Sequence, residues 1–364
     1  MGKKIRVGVL FGGKSAEHEV SLQSARNIID AIDKTKYDVV PIGIDKSGRW
    51  FLNDAEKLLP EANTEGLAAA DQNTLVTLMP EGRGELVGKS GPGSVGAVDV
   101  VFPVLHGPMG EDGTVQGFLR LADVPYVGPD VLGSAMGMDK DVMKRLLRDA
   151  DIPNADWRTV LRFQLDDLDL DDVIAELGLP LFVKPANLGS SVGVSKVHDK
   201  SELRPALEEA FRYDNKVLIE AFIDGREVEL AVLGNEDPIV SVPGEVMPQH
   251  EFYSYEAKYL DEKGALLQIP ADLSEAEIKD VQDLAVRTFQ VLCCEGMARA
   301  DFFLRTDGVF MVNEINTIPG FTRISMYPKL WEASGISYTE LIDRLLQLAI
   351  ERYDREQGLK TSFF

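Results

Sequence analysis

Apolar and polar positions along the first third of the chain repeat with the periods of strands and helices. Buried strands are predicted near residues 5–11, 37–44 and 98–107, and helices near 19–33 and from about 114 to 122. Strands that alternate with helices are typical of a parallel sheet. We therefore expect an N-terminal α/β domain over residues 1–138.

The pattern changes after residue 138. Helices are predicted near 138–153, 324–333 and 337–353, and between about 179 and 316 short strands alternate with glycine turns and helices. We divide this α+β half into two parts, 139–214 and 215–364. The polar stretch 53–96 is loosest at "PEGRGELVGKSGPGS", for which a hairpin or a mobile insert is predicted.

One short motif near the N-terminus suggests a nucleotide site. Gly8 to Ser15 match G-x-x-x-x-G-K-[ST], the P-loop pattern. A P-loop turns its backbone N–H groups around a phosphate, but here the predicted strand includes Gly8 and leaves only Gly12 to Ser15 for the turn. A P-loop NTPase or kinase is therefore the weaker alternative. Glu17 follows the turn, so a ligand site at the carboxyl end of the strand stays open.

Composition restricts the classes of partner. The 364 residues include 60 acidic and 38 Lys or Arg side chains, and the formal net charge is −22. Such a charge repels nucleic acid and anionic membrane surfaces, so we expect neither as a partner. Two adjacent cysteines, Cys293 and Cys294, fall inside an apparent helix and form no disulfide framework. With no membrane-length apolar run or signal peptide, we expect a cytoplasmic protein.

A hairpin with charged side chains is predicted over residues 296–320. Asp307-Gly308 is a strong turn signal, and strand periodicity puts Arg299 and Asp301 on one face. The second strand likewise puts Glu314 and Asn316 on one face. Two carboxylates and an amide oxygen form a site suited to Mg²⁺. The alternative is an ion pair between Arg299 and a carboxylate, with Asn316 capping a turn.

Three further segments carry weaker signals. In 182–196, Lys184 precedes a Gly/Ser loop that either closes over a phosphate or forms a plain β-hairpin. In 216–230, Glu220 ends an apolar strand, either as an acceptor for a ribose or adenine or as an exposed edge carboxylate. The stretch "EFYSYEAKYL" at 251–260 is aromatic and charged without a clear period, as in surface loops and lids.

These segments, in this order, resemble the ATP-grasp fold and, more closely, the D-alanine–D-alanine ligase family. The motifs that carry the resemblance are "FGGKSAEHEVSL", "HGPMGEDGTVQG", "VKPANLGSSVGVSKV", "YSYEAKY" and "NEINTIPGFTRISMYP". The similarity runs from end to end. It implies an N-terminal parallel-sheet domain followed by a two-part ATP-grasp fold.

The resemblance also implies a reaction. ATP phosphorylates the carboxylate of one D-alanine, and the amine of a second D-alanine attacks the acyl phosphate to give D-alanyl-D-alanine for peptidoglycan precursors. Two Mg²⁺ per site, replaceable by Mn²⁺, would be held by Asp301, Glu314 and Asn316. Arg299 and the backbone N–H of Gly320 would stabilise the charge that develops during acyl transfer. A homodimer is implied as well.

The same resemblance implies which residues contact ATP and which contact D-alanine. The implied ATP contacts are Lys140, Lys184, Ser190, Glu220, Ala221, Ile223, Glu227, Lys258, Asn313 and Glu314. The implied D-alanine contacts are Glu17, His106, Arg299, Ser325 and Met326, the last two at the start of a helix whose N-terminal dipole favours an anion.

One implied network, Glu17–Ser190–Tyr259, would close a lid over the site. Tyr259 favours an amine acceptor, which leaves a D-alanine–D-lactate ligase as the chemical alternative. The lysine common in the family after the "VLIE" glutamate is Ala221 here, so we expect mainly backbone contacts to adenine at that position.

Overall fold

The computed structural model describes residues 3–52, 75–88, 94–248, 265–360 and 362. Its first sheet has the strand order β3-β2-β1-β7, in which β1, β2 and β7 are parallel and β3 is antiparallel. The strands are β1 (Ile5–Gly12), β2 (Tyr37–Ile44), β3 (Trp50–Leu52) and β7 (Val100–Val104). Helix α1 (His18–Ala31) follows β1. This confirms the predicted N-terminal parallel sheet.

The P-loop alternative is wrong. Gly8 pairs with Val40 and Val101 inside the sheet, so the residues that would wrap a phosphate belong to a strand. The chain turns only at Gly12 and Gly13, where φ is +92° and +98°, a left-handed conformation that favours glycine.

The described part of the polar insert forms a small antiparallel sheet, β4-β5-β6. Its strands are β4 (Val76–Leu78), β5 (Glu85–Gly88) and β6 (Ser94–Ala97). The β5–β6 pair confirms a hairpin in the loosest stretch.

Helices connect this domain to the next sheet. They are α2 (Thr114–Leu121), α3 (Val131–Met138) and α4 (Lys140–Asp149). The helix predicted over 138–153 is therefore shorter: Asp139 separates α3 from α4, and its carboxylate accepts hydrogen bonds from the backbone N–H groups of Asp141 and Val142. An aspartate in this position satisfies N–H groups that have no partner within the helix, so it begins a new helix.

The second large sheet is antiparallel, in the order β10-β9-β11-β8. It contains β8 (Trp157–Leu161), β9 (Leu181–Pro185), β10 (Ser195–Val197) and β11 (Lys216–Ala221), and it is covered by α5 (Leu170–Leu177) and α6 (Lys200–Ala210). The divisions after residues 138 and 214 stay predictions. Because β11 pairs with β8 and β9, this sheet includes residues a few positions beyond 214.

The third large sheet is antiparallel, in the order β15-β14-β12-β16-β17, and β13 pairs with β12. Its strands are β12 (Gly225–Gly234), β13 (Ile239–Val240), β14 (Gly244–Pro248), β15 (Ala265–Gln268), β16 (Gly296–Arg305) and β17 (Phe310–Asn316). Helices α7 (Glu275–Val291), α8 (Met326–Ala333) and α9 (Tyr338–Gln357) follow β15 and β17. Cys293 and Cys294 lie beyond the end of α7, so their predicted helical position is wrong.

Buried apolar side chains join the two ends of the chain. One cluster contains Phe11 and Phe102 of the first sheet together with Phe321, Tyr327 and Trp331 from the C-terminal part. Burial of this size fixes the N-terminal domain against the loop after β17. No helix among the described residues is long and apolar enough to cross a membrane.

Candidate active site

The β16–β17 hairpin brings four predicted residues together. Arg299 lies opposite Asn316, and Asp301 lies opposite Glu314. The two-residue period of a strand therefore places these side chains on one face, as predicted.

Arg299 is tightly held on this face. Its Nε and Nη2 donate to the two oxygens of Asp301, each at 2.7 Å, and its Nε lies 2.9 Å from Oε2 of Glu229. The Nδ2 of Asn316 donates to Asp301 at 2.9 Å. The ion pair named as the alternative to a metal site is thus present, and it involves one of the predicted metal ligands.

The oxygen atoms of this hairpin are of the kind that binds magnesium. Within the described parts of the chain, no three His, Cys, Asp or Glu side chains are grouped so that they could hold a metal by themselves. Asp301 and Glu314 supply two carboxylates, and a third protein ligand would have to be the amide oxygen of Asn316. Such hard oxygen donors suit Mg²⁺, which usually keeps several waters or phosphate oxygens as well.

A second charged group lies at the junction of α4, β9 and β11. The two carboxylate oxygens of Glu220 each contact a lysine: Lys184 Nζ lies 2.6 Å from Oε1, and Lys144 Nζ lies 2.8 Å from Oε2. Burial works to raise the pKa of Glu220, but the two lysines outweigh it and lower the pKa to about 2. Glu220 is therefore an ionised, buried acceptor and not an exposed edge carboxylate.

Around Glu220 lies a cavity of about 470 Å³. Every predicted ATP contact that falls within the described residues lines it: Lys140, Lys184, Ser190, Glu220, Ala221, Ile223, Glu227, Asn313 and Glu314. Lys258 lies outside the described residues. The rings of Phe182 and Phe222, with centroids 6.2 Å apart, add an aromatic wall. A cavity with aromatic and cationic walls suits a nucleotide.

A smaller cavity, of about 100 Å³, lies beside the β16–β17 face. Every predicted D-alanine contact lines it, and so does every predicted catalytic residue that falls within the described residues: Glu17, His106, Ser190, Arg299, Gly320, Ser325 and Met326. Tyr259 lies outside the described residues. The volume suits a ligand much smaller than a nucleotide.

Glu17 connects the N-terminal domain to the central Gly/Ser loop. Its side chain is buried at the start of α1, and its carboxylate accepts a hydrogen bond from the hydroxyl of Ser190. Ser190 has φ +53°, an unusual conformation for a residue other than glycine. Two of the three members of the predicted Glu–Ser–Tyr network are therefore in contact.

His106 and Glu111 connect the same cavity to the loop after β17. The Nδ1 of His106 lies 3.1 Å from the carbonyl oxygen of Ile318, and burial lowers the pKa of the imidazole. Glu111 accepts from the backbone N–H of Gly107 at 2.6 Å and from that of Ile318 at 3.3 Å. Burial, reinforced by the charge of Glu17, raises the pKa of Glu111 to about 8.

The loop from Gly320 to Ser325 closes the far side of this cavity. Ser325 precedes α8, and its Oγ accepts from the backbone N–H of Thr322 at 2.9 Å. A Cβ at Gly320 would lie 2.8 Å from that Oγ, so a side chain at this position would displace the hydroxyl of Ser325.

The two cavities adjoin. Both are lined by Gly189, Ser190, Val246 and Glu314. A ligand in the small cavity would therefore lie next to one end of a nucleotide in the large one, with Glu314 lining both cavities and Arg299 lining the small one. This arrangement suits transfer of a phosphoryl group between the two ligands.

Models of known families match nearly the whole chain. Residues 6–129 match the D-ala D-ala ligase N-terminus, and residues 146–347 match the D-ala D-ala ligase C-terminus. The chain belongs to the D-alanine–D-alanine ligase family.

Members of this family are similar over their full length. A D-alanine–D-alanine ligase of Shouchella clausii is 54% identical over 100% of this chain and 99% of its own length. D-alanine–D-alanine ligase A of Escherichia coli K12 is 50% identical over 99% of this chain and 100% of its own.

Solved structures of ligases share the fold. The D-alanine–D-alanine ligase from Coxiella burnetii superposes with a TM-score of 0.87, 40% identity, and coverage of 98% of this chain and 97% of its own. The VanG D-Ala:D-Ser ligase from Enterococcus faecalis gives a TM-score of 0.85, 38% identity, and coverage of 95% and 100%. This chain therefore has the ATP-grasp fold of these ligases.

Sequence patterns alone did not assign three residues at the site. Glu111 lies in the motif "HGPMGEDGTVQG" without a predicted role, Glu229 contacts Arg299 from the neighbouring strand, and Lys144 contacts Glu220 from α4. The two-residue period from Glu227 to Glu229 was a usable signal, since alternate residues share one face of a strand. Lys144 follows Lys140 by four residues and so lies on the same side of the helix.

Proposed function

We propose that this protein joins two molecules of D-alanine into D-alanyl-D-alanine at the expense of ATP, through a D-alanyl phosphate intermediate. Membership of the D-alanine–D-alanine ligase family supports an ATP-dependent ligase of this class. The observation that carries the proposal is the pair of adjoining cavities, one of nucleotide size and one of amino-acid size, with Glu314 lining both and Arg299 lining the smaller one.

The first step transfers the γ-phosphoryl group. A carboxylate oxygen of the first D-alanine attacks the γ-phosphorus, the bond to the bridging oxygen breaks, and ADP leaves. Lys140 and Lys184 bind the phosphate oxygens, while Glu17 pairs with the ammonium group of the amino acid. Holding both reactants in adjoining cavities replaces a collision in solution by a reaction between bound partners.

Two Mg²⁺ ions, held by Asp301, Glu314 and Asn316, would neutralise negative charge on the phosphates, and Mn²⁺ would substitute. The oxygen donors of the hairpin support this choice of metal. Arg299 would then exchange part of its contact with Asp301 for the reacting carboxylate, and Glu229 would remain as its buried partner.

The second step forms the peptide bond. The neutral amine of the second D-alanine attacks the carbonyl carbon of the acyl phosphate, phosphate leaves, and the nitrogen loses a proton. Arg299 and the N–H of Gly320 stabilise the tetrahedral oxyanion, and removal of one such donor typically costs about a hundredfold or more in rate. Ser325 and Met326 bind the carboxylate of the second D-alanine at the start of α8.

The test measures ADP, phosphate and dipeptide when the purified protein is given Mg·ATP with single amino acids. We expect equal amounts of all three products with D-alanine and none with L-alanine. Turnover with L-alanine but not D-alanine would refute the proposal. Competition between D-alanine and D-lactate across pH separates an amine acceptor from a hydroxy-acid acceptor, and the ester product should stay minor.

We also propose that the enzyme is a cytoplasmic homodimer that supplies peptidoglycan precursors, and that Lys258 and Tyr259, which lie outside the described residues, contribute to ATP binding and catalysis. The family resemblance of the sequence supports this setting. Analytical ultracentrifugation at micromolar concentration tests the dimer, and a single species of monomer mass would contradict it.

A further inference from the structure

We propose that Lys144 is a positioning residue for nucleotide recognition: it holds the carboxylate of Glu220 in place to accept the 6-amino group of adenine while Lys184 turns to the phosphates. This inference rests on the proposed function, because it takes the large cavity as the ATP site.

Lys144 lies behind the wall of that cavity. Its side chain is 1% exposed, whereas Lys140, Lys184 and Glu220 line the cavity itself. The ammonium group is held from three directions: it contacts Glu220 at 2.8 Å, donates to the carbonyl oxygen of Ala155 at 3.2 Å, and lies 5.5 Å from the ring centre of Trp157. Lys144 therefore has a fixed position and acts on a ligand only through Glu220.

The second lysine on Glu220 is differently placed. Lys184 contacts the other carboxylate oxygen at 2.6 Å, but its side chain is 15% exposed and faces the cavity. A triphosphate bound there attracts Lys184, because a phosphate group is a strong partner for an ammonium group. As Lys184 moves towards the phosphates, the negative charge of Glu220 loses one of its two positively charged partners.

A buried carboxylate that loses its counter-charge is costly. Lys144 removes that cost, because it neutralises Glu220 from behind and leaves the oxygen on the cavity side available. Glu220 then stays ionised and correctly oriented as Lys184 changes partner. Without Lys144, Glu220 and Lys184 would hold each other, which weakens both the contact to the adenine amine and the contact to phosphate.

The test compares ATP with purine riboside triphosphate, which lacks the 6-amino group. Dissociation constants of the two magnesium complexes are measured by calorimetry without D-alanine, for the native protein, K144M, E220Q and the double variant. K216M is the matched control, since Lys216 pairs with Asp139 at 2.5 Å at the other end of β11 and does not line the cavity. Thermal unfolding checks that each variant is folded.

We expect the native protein and K216M to bind ATP about tenfold more tightly than purine riboside triphosphate, the effect of one hydrogen bond to a charged group. K144M should raise the dissociation constant of ATP by about tenfold. The dissociation constants of ATP and purine riboside triphosphate should then be nearly equal. In the E220Q background, the Lys144 substitution should change the preference little. If K144M is not folded, K144Q, which keeps a donor for Glu220 but lacks the charge that neutralises it, should shift the preference in the same direction.

An unchanged ATP preference in folded K144M would overturn the inference, and so would its absence in the native protein. The inference would also be overturned if K144M reduced the preference for ATP by the same factor in the native and the E220Q backgrounds, because Lys144 would then not act through Glu220. Binding is measured without turnover, so a failure of D-alanine ligation is recorded separately and concerns the proposed function.

Discussion

The carboxylate of Glu17 links two parts of the chain that are more than 170 residues apart. It is buried, it receives the Ser190 hydroxyl, and it lines the cavity of amino-acid size. A buried negative charge in such a cavity is a suitable partner for an ammonium group.

We therefore expect Glu17→Gln to raise the KM for the first D-alanine by about tenfold or more, since a charge-assisted hydrogen bond is lost. The KM for ATP should change by less than about twofold. Glu19→Gln is the control, because Glu19 is half-exposed and pairs with Lys46 at 2.6 Å. Initial-rate kinetics with both substrates measure the effect, and unchanged D-alanine kinetics would remove Glu17 from the site.

Glu111 makes stability depend on pH. Its pKa is raised to about 8 in the folded protein, so between about pH 4.5 and 8 the folded state binds a proton that the unfolded state releases. The free energy of unfolding should therefore fall as the pH rises through this window. Glu111→Gln removes the titration and should reduce that fall by more than about 1 kcal/mol, since one pKa unit corresponds to about 1.4 kcal/mol.

Urea unfolding of the native protein and of Glu111→Gln, at pH 5 through 9, measures this difference. If the free energies of unfolding of the two proteins changed with pH in parallel, Glu111 would not be the group that holds the proton. Asp112→Asn is the control, because Asp112 accepts from the backbone of Met109 and Thr114 at the start of α2.

The sequence could identify residues whose role follows from local spacing. Arg299, Asp301, Glu314 and Asn316 were predictable because a strand alternates its faces and Asp307-Gly308 forms a turn. The contact of Lys144 with Glu220 was not predictable, because it depends on how α4 packs against β11, 76 residues later in the sequence.

At the scale of elements, the β16–β17 hairpin aligns Arg299 with Asn316 and Asp301 with Glu314. Its turn contains Gly308, with φ +82°, and a Cβ added there would have no neighbouring atom within 4 Å. Gly308→Ala should therefore cost only backbone strain, about 1 kcal/mol, and leave the catalytic rate unchanged. Gly308→Asn should cost less, since asparagine tolerates this conformation.

Thermal unfolding and steady-state rates of the two Gly308 variants test this expectation. A large loss of activity with an unchanged melting temperature would show that the turn takes part in the reaction.

The location of the nucleotide also follows from the elements. Lys14 follows the turn after β1, whereas Lys184 on β9 lines the large cavity. Lys184→Met should weaken ATP binding by about tenfold or more, since a charge on the phosphates is lost. Lys14→Ala should leave ATP binding within about twofold, measured by calorimetry. The reverse result would restore the P-loop as the nucleotide site.

Element boundaries were less predictable than element types. The helix predicted over 138–153 is α4 at Lys140–Asp149, because Asp139 caps its first turn with its side chain, and the hydrophobic pattern does not show where such a cap begins a helix. The same limit applies to the division at residue 214, since the pairing of β11 with β8 and β9 is a long-range contact.

At the scale of the whole molecule, function depends on parts that come from both ends of the chain. The smaller cavity is lined by residues of the loop after β1, the loop after β7 and the loop after β17, and the cluster around Phe102 and Phe321 holds these parts together. In the proposed function, the junction of this cavity with the larger one brings a bound carboxylate next to the phosphates of ATP.

The most direct test of this account uses D-alanine labelled with oxygen-18 in its carboxylate. If the carboxylate attacks the γ-phosphorus, one labelled oxygen is transferred to phosphate for each dipeptide formed, and mass spectrometry of the phosphate detects it. We predict phosphate that carries one label per turnover, together with D-alanyl-D-alanine. Dipeptide formed with unlabelled phosphate would contradict the acyl phosphate, and labelled phosphate without dipeptide would contradict the ligation.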